Sequence, residues 1–458
     1  MYITYIMRRI LLAALAVAIL LPGCTSGGES RALRDDASRQ ARDFVMDIVN
    51  ENYVRALTQG TDGLKADLTV RDLQWMWLET QMQAGSFNSI SGTYTNFEAG
   101  NYTCVLTADH RNRTVFWTLT YKEDGETVKL DSVDVRAVYK PEARVAPPEG
   151  IVQENVVVGE ASGYPLNGRL TLPRNIGEGA RLPAVVLVHN HGPWDMDASV
   201  FDNKPFRDIA YHLAANGIAV LRYDKITYRY PDELKDVYGN RITAELETVY
   251  DAAYARLLLA GDERIDQDRV FVLGHGLGGS LAPLICALYG YNGWISMAGS
   301  PRNLVELAID TQMYAAERDG RGRAYRDNLR SEHEAAAELF LALVEMSFEE
   351  IDEICIFDIS GYYLKSLIEN APEEFLELNY PALVLQGTND FEVFFDRDFE
   401  LYQQFLTEND NAEFRLYRGV NHMLMWSTME RPDIRDYRPA ATVEKTVLDD
   451  IAEWINKN

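Results

Sequence analysis

Two patterns of hydrophobic and polar positions divide the chain. In residues 33–139, hydrophobic residues first recur at helical spacing, over 33–48 and again over 73–82. They then alternate with polar residues over 102–108 and 115–121, which is typical of half-buried strands. Asp124-Gly125 is a good hairpin turn because glycine adopts the positive φ that such turns need. This part of the chain is therefore predicted to be a small α+β domain, with helices followed by an antiparallel meander.

The longer part, residues 151–458, alternates short hydrophobic runs with amphipathic stretches. Such alternation predicts α/β architecture, with a mostly parallel sheet, helices on both faces and a site at the carboxyl ends of the strands. The helical, aromatic-rich segment 301–379 interrupts the pattern and is predicted to cap the site, with a peripheral insert or a dimer surface as the alternative. The predicted strands are 184–188, 218–222, 270–273, 294–298, 382–386 and 413–417, and the predicted helices lie near 205–216, 241–260, 277–289, 395–408 and 441–457.

The most informative motif joins the predicted strand 270–273 to the predicted helix 277–289. It reads Gly274-His275-Gly276-Leu277-Gly278, and it matches the G-x-S-x-G turn that lifts a nucleophilic serine above the sheet of serine hydrolases. Glycines flank that turn because it leaves no room for side chains. Here the flanking glycines are present, but Gly276 stands where the serine would be. Ser280, one helical turn later, is predicted to point into packing rather than to replace it.

Two further residues complete the pattern of a catalytic triad. Asp390 follows the hydrophobic run 382–385 and a short turn, and His422 lies in a predicted loop after 413–417. Alone, each is more simply a turn or loop residue. Together with the turn at Gly276 they follow the order nucleophile, acid, histidine, in which the acid orients the histidine and the histidine takes the proton of the nucleophile. We interpret the pattern as descent from a triad enzyme.

Residues 151–458 resemble bacterial carboxylesterases of the α/β-hydrolase superfamily, close to serine aminopeptidases and dienelactone hydrolases. The resemblance rests on the turn, on the segments 203–208 and 219–225, and on the first loop, 189–197, which reads H-N-H-G-P-W-D-M-D where the family has H-G-S-G-P-x-D-x-D. It implies an oxyanion hole made of the backbone N–H groups of Leu277 and His191. Asn190 and His191 replace small residues, so the loop is expected to be reshaped. Some relatives carry a cystatin-like domain ahead of the hydrolase.

The first residues indicate an envelope lipoprotein. Arg8 and Arg9 precede the hydrophobic run 10–21, which is too short for a membrane-spanning helix of about 20 residues. The following Leu21-Pro22-Gly23-Cys24 resembles a bacterial lipobox, with Cys24 as the acylated residue; ordinary secretion is the alternative. The expected organisation is a signal peptide (1–23), a tether (24–32), the small domain (33–139), a proline-containing linker (140–150) and the hydrolase domain (151–458).

Composition narrows the range of partners. The 458 residues carry a formal charge of −26, which argues against binding to nucleic acid and against direct attraction to anionic lipid. The membrane is therefore expected to be reached through the lipid on Cys24. Cys104, Cys286 and Cys355 have no spacing that suggests a disulfide framework or a zinc site. Neither a cofactor nor a metal is expected.

Three functions remain open from the sequence. The chain could be a non-catalytic protein that binds a small acyl or ester-type ligand beneath the cap. It could be a weak carboxylic ester hydrolase in which Asp390 and His422 activate water in the space at Gly276. It could also be an esterase that has lost its nucleophile without acquiring a new role. Loss of a nucleophilic serine costs a protease roughly 10⁶ in turnover, so impaired catalysis is the expectation.

Overall fold

The computed structural model describes residues 30–138 and 146–458. The predicted signal peptide, Cys24 and most of the predicted tether and linker lie outside the described residues. The described residues form two compact units. One comprises 30–138 with 200–202, and the other comprises 146–199 with 203–458.

The first unit is the expected α+β domain, with four helices and a four-stranded antiparallel sheet in the order β1-β2-β3-β4. Ser30 begins the first helix by accepting a hydrogen bond from the Leu33 N–H, and Thr69 and Asp72 form a capping box at the fourth. Residues such as Phe44, Trp77 and Trp117 form its buried core. The elements are α1 (Arg31–Val49), α2 (Tyr53–Thr58), α3 (Asp62–Asp67), α4 (Val70–Ala84), β1 (Phe87–Glu98), β2 (Asn101–His110), β3 (Thr114–Asp124) and β4 (Thr127–Val138).

The second unit is built on an eight-stranded sheet in the order β14-β13-β10-β9-β7-β8-β6-β5. The six strands from β14 to β8 are parallel, and β6 and β5 extend the sheet as an antiparallel pair. All residues of β7 and β13 are buried, so both faces of the sheet centre are covered, as their continuous hydrophobic sequences predict. The strands are β5 (Ile151–Val158), β6 (Leu166–Pro173), β7 (Leu182–Val188), β8 (Ala219–Tyr223), β9 (Ile265–His275), β10 (Trp294–Met297), β13 (Ala382–Gly387) and β14 (Ala412–Tyr417).

Helices connect the parallel strands, which confirms the α/β-hydrolase architecture expected from the sequence. Two of them, α8 and α13, begin with a π-helical turn, at Glu245–Val249 and Phe395–Phe399. The helices are α5 (Pro205–Ala215), α6 (Ile226–Arg229), α7 (Pro231–Tyr238), α8 (Tyr250–Ala260), α9 (Leu277–Tyr289), α13 (Glu400–Phe405) and α14 (Lys445–Lys457).

The insertion between β10 and β13 is mostly helical. Asn303 caps its first helix and Ser360 caps its last α-helix, each through a side-chain oxygen that accepts backbone N–H groups. It contains α10 (Leu304–Arg318), α11 (Arg323–Ala342), the small hairpin β11 (Cys355–Ile356) and β12 (Ile359–Ser360), α12 (Gly361–Glu369) and a 3₁₀ turn (Pro372–Glu377). Among the described helices of the whole chain, none is long and apolar enough to cross a membrane.

Candidate active site

The turn between β9 and α9 has the backbone geometry that its glycines predict. Gly276 has φ +55° and ψ −120°, a conformation that strains any residue with a side chain. A Cβ at Gly274 would collide with the backbone of Gly278, and a Cβ at Gly278 would lie 2.5 Å from the carbonyl oxygen of Val188. The glycines on both sides of position 276 are therefore required by backbone packing.

The structure brings the predicted acid and histidine together. Asp390 follows β13 and His422 follows β14, and Nδ1 of His422 lies 2.9 Å from Oδ2 of Asp390. Both side chains are buried. This is the contact through which the acid of a triad orients its histidine.

Asp390 has structural partners besides His422. Its Oδ1 accepts hydrogen bonds from the backbone N–H groups of Glu392 (2.8 Å) and Val393 (2.9 Å). Its Oδ2 also accepts one from Nε2 of Gln386, at 2.8 Å. The Asp390 carboxylate therefore has two roles in the structure: it stabilises the turn after β13, and it orients the imidazole of His422.

A second carboxylate faces the other nitrogen of His422. Oε2 of Glu392, a half-buried residue, lies 3.7 Å from Nε2 of His422. Burial lowers the pKa of His422, but the charges of Asp390 and Glu392 and the hydrogen bond that His422 donates to Asp390 outweigh burial and raise that pKa to about 9. At neutral pH the protonated imidazole therefore predominates, and only the minor unprotonated form can act as a general base.

The two backbone N–H groups predicted to form an oxyanion hole point at the same place, where a side chain of the protein accepts both of them. The backbone N–H groups of Leu277 and His191 both donate to Oδ1 of Asn190, each at 2.8 Å. These are the two donors that would stabilise the oxyanion of an acyl-transfer intermediate. The position of Asn190 as their acceptor was not predicted.

The same amide fills the space in which a nucleophile would stand. A Cβ added to Gly276 would collide with Cγ of Asn190 and would lie 2.5 Å from its Oδ1 and 2.6 Å from its Nδ2. Nδ2 itself lies 3.5 Å from Nε2 of His422. The Asn190 amide thus extends from the oxyanion hole to the imidazole.

A buried ion pair fixes the loop that carries Asn190. Nζ of Lys225 donates to the carbonyl oxygen of Asn190 at 2.7 Å and lies 3.2 Å from Glu247. Glu247 accepts hydrogen bonds from the Gly192 N–H (3.1 Å) and from the hydroxyl of Tyr363 (2.5 Å). Burial raises the pKa of Glu247, but the charge of Lys225 and these donors outweigh it and hold that pKa below its usual value.

The insertion reaches the site through Tyr363. Besides its hydrogen bond to Glu247, the ring of Tyr363 packs edge-on against His191, with 4.8 Å between ring centroids. Tyr363 lies on α12, so this part of the predicted cap, 301–379, covers the first loop.

The described residues offer no obvious replacement for the missing serine. The hydroxyl of Ser280 donates to the carbonyl oxygen of Gly276 (3.4 Å) and accepts from the Ser300 N–H (3.0 Å). Cys286 lies on α9 and is buried in the core. Over 30–138 and 146–458, no group of three or more His, Cys, Asp or Glu residues could hold a metal ion.

Comparison with known proteins identifies the family. A family model described as "Alpha/beta hydrolase family" matches residues 185–433, more than half of the chain. The chain belongs to the alpha/beta hydrolase family. The esterase-like resemblance inferred from the sequence is confirmed, since Esterase EstD of Thermotoga maritima is 29% identical to this alpha/beta hydrolase over 430 residues, which cover 90% of this chain and 94% of the relative.

Solved structures match this alpha/beta hydrolase at low identity and low TM-score. An esterase from the archaeon Pyrobaculum calidifontis is 20% identical, with a TM-score of 0.39, and the match covers 67% of this chain and 85% of that one. An acylaminoacyl peptidase from Pyrococcus horikoshii is 12% identical, with a TM-score of 0.43, and the match covers 80% and 55%. These similarities concern the fold alone.

Proposed function

We propose that this alpha/beta hydrolase is an esterase-like protein that does not turn over esters in its native form. One observation carries the proposal: the Asn190 amide occupies both the oxyanion hole and the space beside Gly276. An ester carbonyl needs the hole, and an attacking oxygen needs the space. The esterase name of the Thermotoga relative supports an ester-type ligand for the ancestral site.

The alternative of a weak hydrolase has less support. It needs water beside Gly276 and a neutral His422 to activate that water. The Asn190 amide lies in that space, and the two carboxylates around His422 raise its pKa to about 9. The alternative of a non-catalytic protein that binds an acyl ligand in the oxyanion hole requires the ligand to displace Asn190.

The decisive experiment restores the site in two steps. Gly276→Ser alone should neither react with a fluorophosphonate probe nor hydrolyse p-nitrophenyl esters, because the new Cβ meets the Asn190 amide. Gly276→Ser combined with Asn190→Gly frees the hole and supplies the nucleophile, so labelling and turnover should appear. We expect a gain of at least about 10²-fold over wild type, since one oxyanion donor alone contributes about 10²–10³ in turnover.

Two controls make this result specific. His191→Ser, added to the double variant, should change little because residue 191 contributes its backbone N–H. His422→Ala, added instead, should abolish the regained turnover. Strong labelling and turnover by the wild-type protein would contradict the proposal, and so would equal activity of Gly276→Ser with and without Asn190→Gly.

We further propose that Cys24 is lipidated and holds the protein at the bacterial cell envelope. The support is the hydrophobic run 10–21 followed by Leu21-Pro22-Gly23-Cys24. Each buried CH₂ of an acyl chain contributes about 0.8 kcal/mol, so several chains anchor a protein stably. Fatty-acid labelling should mark the wild type and not Cys24→Ala. Equal labelling of both, or a soluble wild type, would exclude the anchor.

A further inference from the structure

The Asn190 side chain is placed as the substrate of its own site. Its carbonyl oxygen receives the two backbone N–H groups of the oxyanion hole, at the N-terminus of the 13-residue helix α9. Its amide nitrogen lies 3.5 Å from Nε2 of His422, which Asp390 orients from the other side. Polarisation of the carbonyl, an acid–base group at the leaving atom and an orienting carboxylate are what hydrolysis of an amide requires.

We propose that this site hydrolyses the side-chain amide of Asn190 to an aspartate. A water molecule forms a bond from its oxygen to Cγ and gives one proton to Nε2 of His422 when that nitrogen is unprotonated. The backbone N–H groups of Leu277 and His191 stabilise the oxyanion at Oδ1. The Cγ–Nδ2 bond then breaks, and His422 returns the proton to the leaving nitrogen, which departs as ammonia. The new carboxylic acid gives its proton to that ammonia, so the products are aspartate and ammonium. Water is the only co-reactant, and no oxidation or reduction occurs.

The product is stabilised where it forms. The new carboxylate at position 190 keeps the two backbone donors. It also faces the imidazole of His422, which is mostly protonated below pH 9 because its pKa is about 9. An anion at the N-terminus of α9 is further favoured by the helix dipole. The modification adds one negative charge to the site and replaces a neutral occupant of the oxyanion hole by an anionic one.

The chain contains a matched internal control. Asn421 is also followed by histidine, and its Oδ1 also accepts two backbone N–H groups, from Met423 (3.1 Å) and Met425 (3.2 Å). Its Nδ2, however, donates to the carboxylate of Asp436 at 2.8 Å instead of facing an imidazole. Asn421 therefore shares the local sequence and the polarised carbonyl, and it lacks the acid–base group.

The proposed reaction differs chemically from ordinary deamidation. Ordinary deamidation begins with attack of the following backbone nitrogen on Cγ and yields a succinimide, which opens to a mixture of aspartate and isoaspartate. Here the backbone N–H of His191 donates to Oδ1 of Asn190, so that nitrogen serves as a hydrogen-bond donor and not as a nucleophile. Direct hydrolysis yields aspartate alone.

The test is a time course of the purified full-length protein at pH 9, where about half of the His422 imidazole is unprotonated. Conversion is followed by peptide mass spectrometry, with isoaspartate measured separately. We expect Asn190 to convert to aspartate without isoaspartate, roughly 10³-fold faster than Asn421, because a site lacking one triad member retains about 10³–10⁴ over water. His422→Gln and Asp390→Asn should each slow conversion at position 190. The wild-type protein held in denaturant should also lose the fast conversion, because unfolding separates Asn190 from His422. This control requires no substitution.

Two results would overturn the proposal. One is an Asn190 amide that persists as long as that of Asn421. The other is a mixture of aspartate and isoaspartate at 190 that forms at the same rate in denaturant or in His422→Gln. Either result leaves the proposed lack of ester turnover untouched, because that is measured by probe labelling and p-nitrophenyl ester hydrolysis.

Discussion

The two halves of the site differ in how closely they match the catalytic pattern of a serine hydrolase. In the acid–histidine half, Asp390 and His422 make the 2.9 Å contact expected between the acid and the histidine of a triad. The half around Gly276, the predicted nucleophile position, has no side chain at that position, and the amide of Asn190 occupies the adjacent space. Both halves are also part of the fold, and each is held by contacts that do not depend on catalysis.

The acid and the histidine are tied into the surrounding backbone. Asp390 accepts the N–H groups of its own turn, and the carbonyl oxygen of His422 accepts a hydrogen bond from Nε2 of His275 at 3.1 Å. Burial lowers the pKa of His275 far below its usual value, so its ring is neutral and serves as a structural donor. Removing such buried partners typically costs about 1–3 kcal/mol each. An intact acid–histidine pair is therefore weak evidence for catalysis.

The largest expected effect separates the glycines of the turn. Gly274→Ala places a Cβ against the backbone of Gly278 and should lower the free energy of unfolding by about 4 kcal/mol or more. Gly276→Ala meets side-chain atoms of Asn190, which can move, so its cost is the backbone strain of about 1–3 kcal/mol. Urea denaturation of both variants measures the difference. Equal losses would show that position 276 is as constrained as position 274.

A smaller effect concerns the charge on His422. Its pKa is about 9 in the folded protein and about 6.5 when unfolded. The resulting stability is fully present below pH 6.5 and is lost as the pH rises through 9. Between these values the free energy of unfolding should fall by about 3 kcal/mol, which pH-dependent denaturation and NMR titration of the ring can measure.

Glu392→Gln tests the cause of that charge. The substitution removes one of the two carboxylates at His422, so the pKa of the imidazole should move toward 6.5. The pH range over which the free energy of unfolding changes should narrow accordingly. Glu430→Gln, at an exposed glutamate, is the control. An unchanged His422 titration in Glu392→Gln would assign the raised pKa to Asp390 alone.

The smallest effect concerns the contact between the insertion and the first loop. Tyr363→Phe keeps the ring against His191 and removes the hydroxyl that donates to Glu247. A buried hydrogen bond to a charged group contributes about 1.5–3 kcal/mol, and we expect a loss of about 2 kcal/mol in thermal and chemical denaturation. Tyr362→Phe, whose ring contact with Phe348 is retained, is the matched control. Equal losses in the two variants would contradict a specific role for the hydroxyl.

Most of the second unit could be predicted because its parallel strands are buried on both faces and stand out as hydrophobic runs. The strands β5 and β6 were not predicted. β5 lies at the sheet edge, and its neighbour β6 mixes buried and exposed positions without regular alternation. In the first unit β1 was missed for the same reason, as most of its side chains are exposed or half-buried. Hydrophobic periodicity in a sequence reflects the burial of side chains. Strands with few buried side chains therefore show a weak pattern and are hard to predict.

The site was predicted in outline and missed in detail. Spacing and order indicated Gly276, Asp390 and His422, since each follows a recognisable strand. The filling of the oxyanion hole by Asn190 depends on a rotamer and on a contact between residues 190 and 277, far apart in sequence. No local pattern reports such a contact. The departure of Asn190 from the small residue of the resembled family was the only available signal.

The packing of Asn190 on Gly276 couples two positions that lie far apart in the sequence. With the amide in its present rotamer, a Cβ at position 276 collides with Cγ of Asn190. Residues in such direct contact do not contribute independently to stability. The effects of substitutions at 190 and 276 on the free energy of unfolding are therefore expected to be non-additive, and the two residues form one unit of the fold.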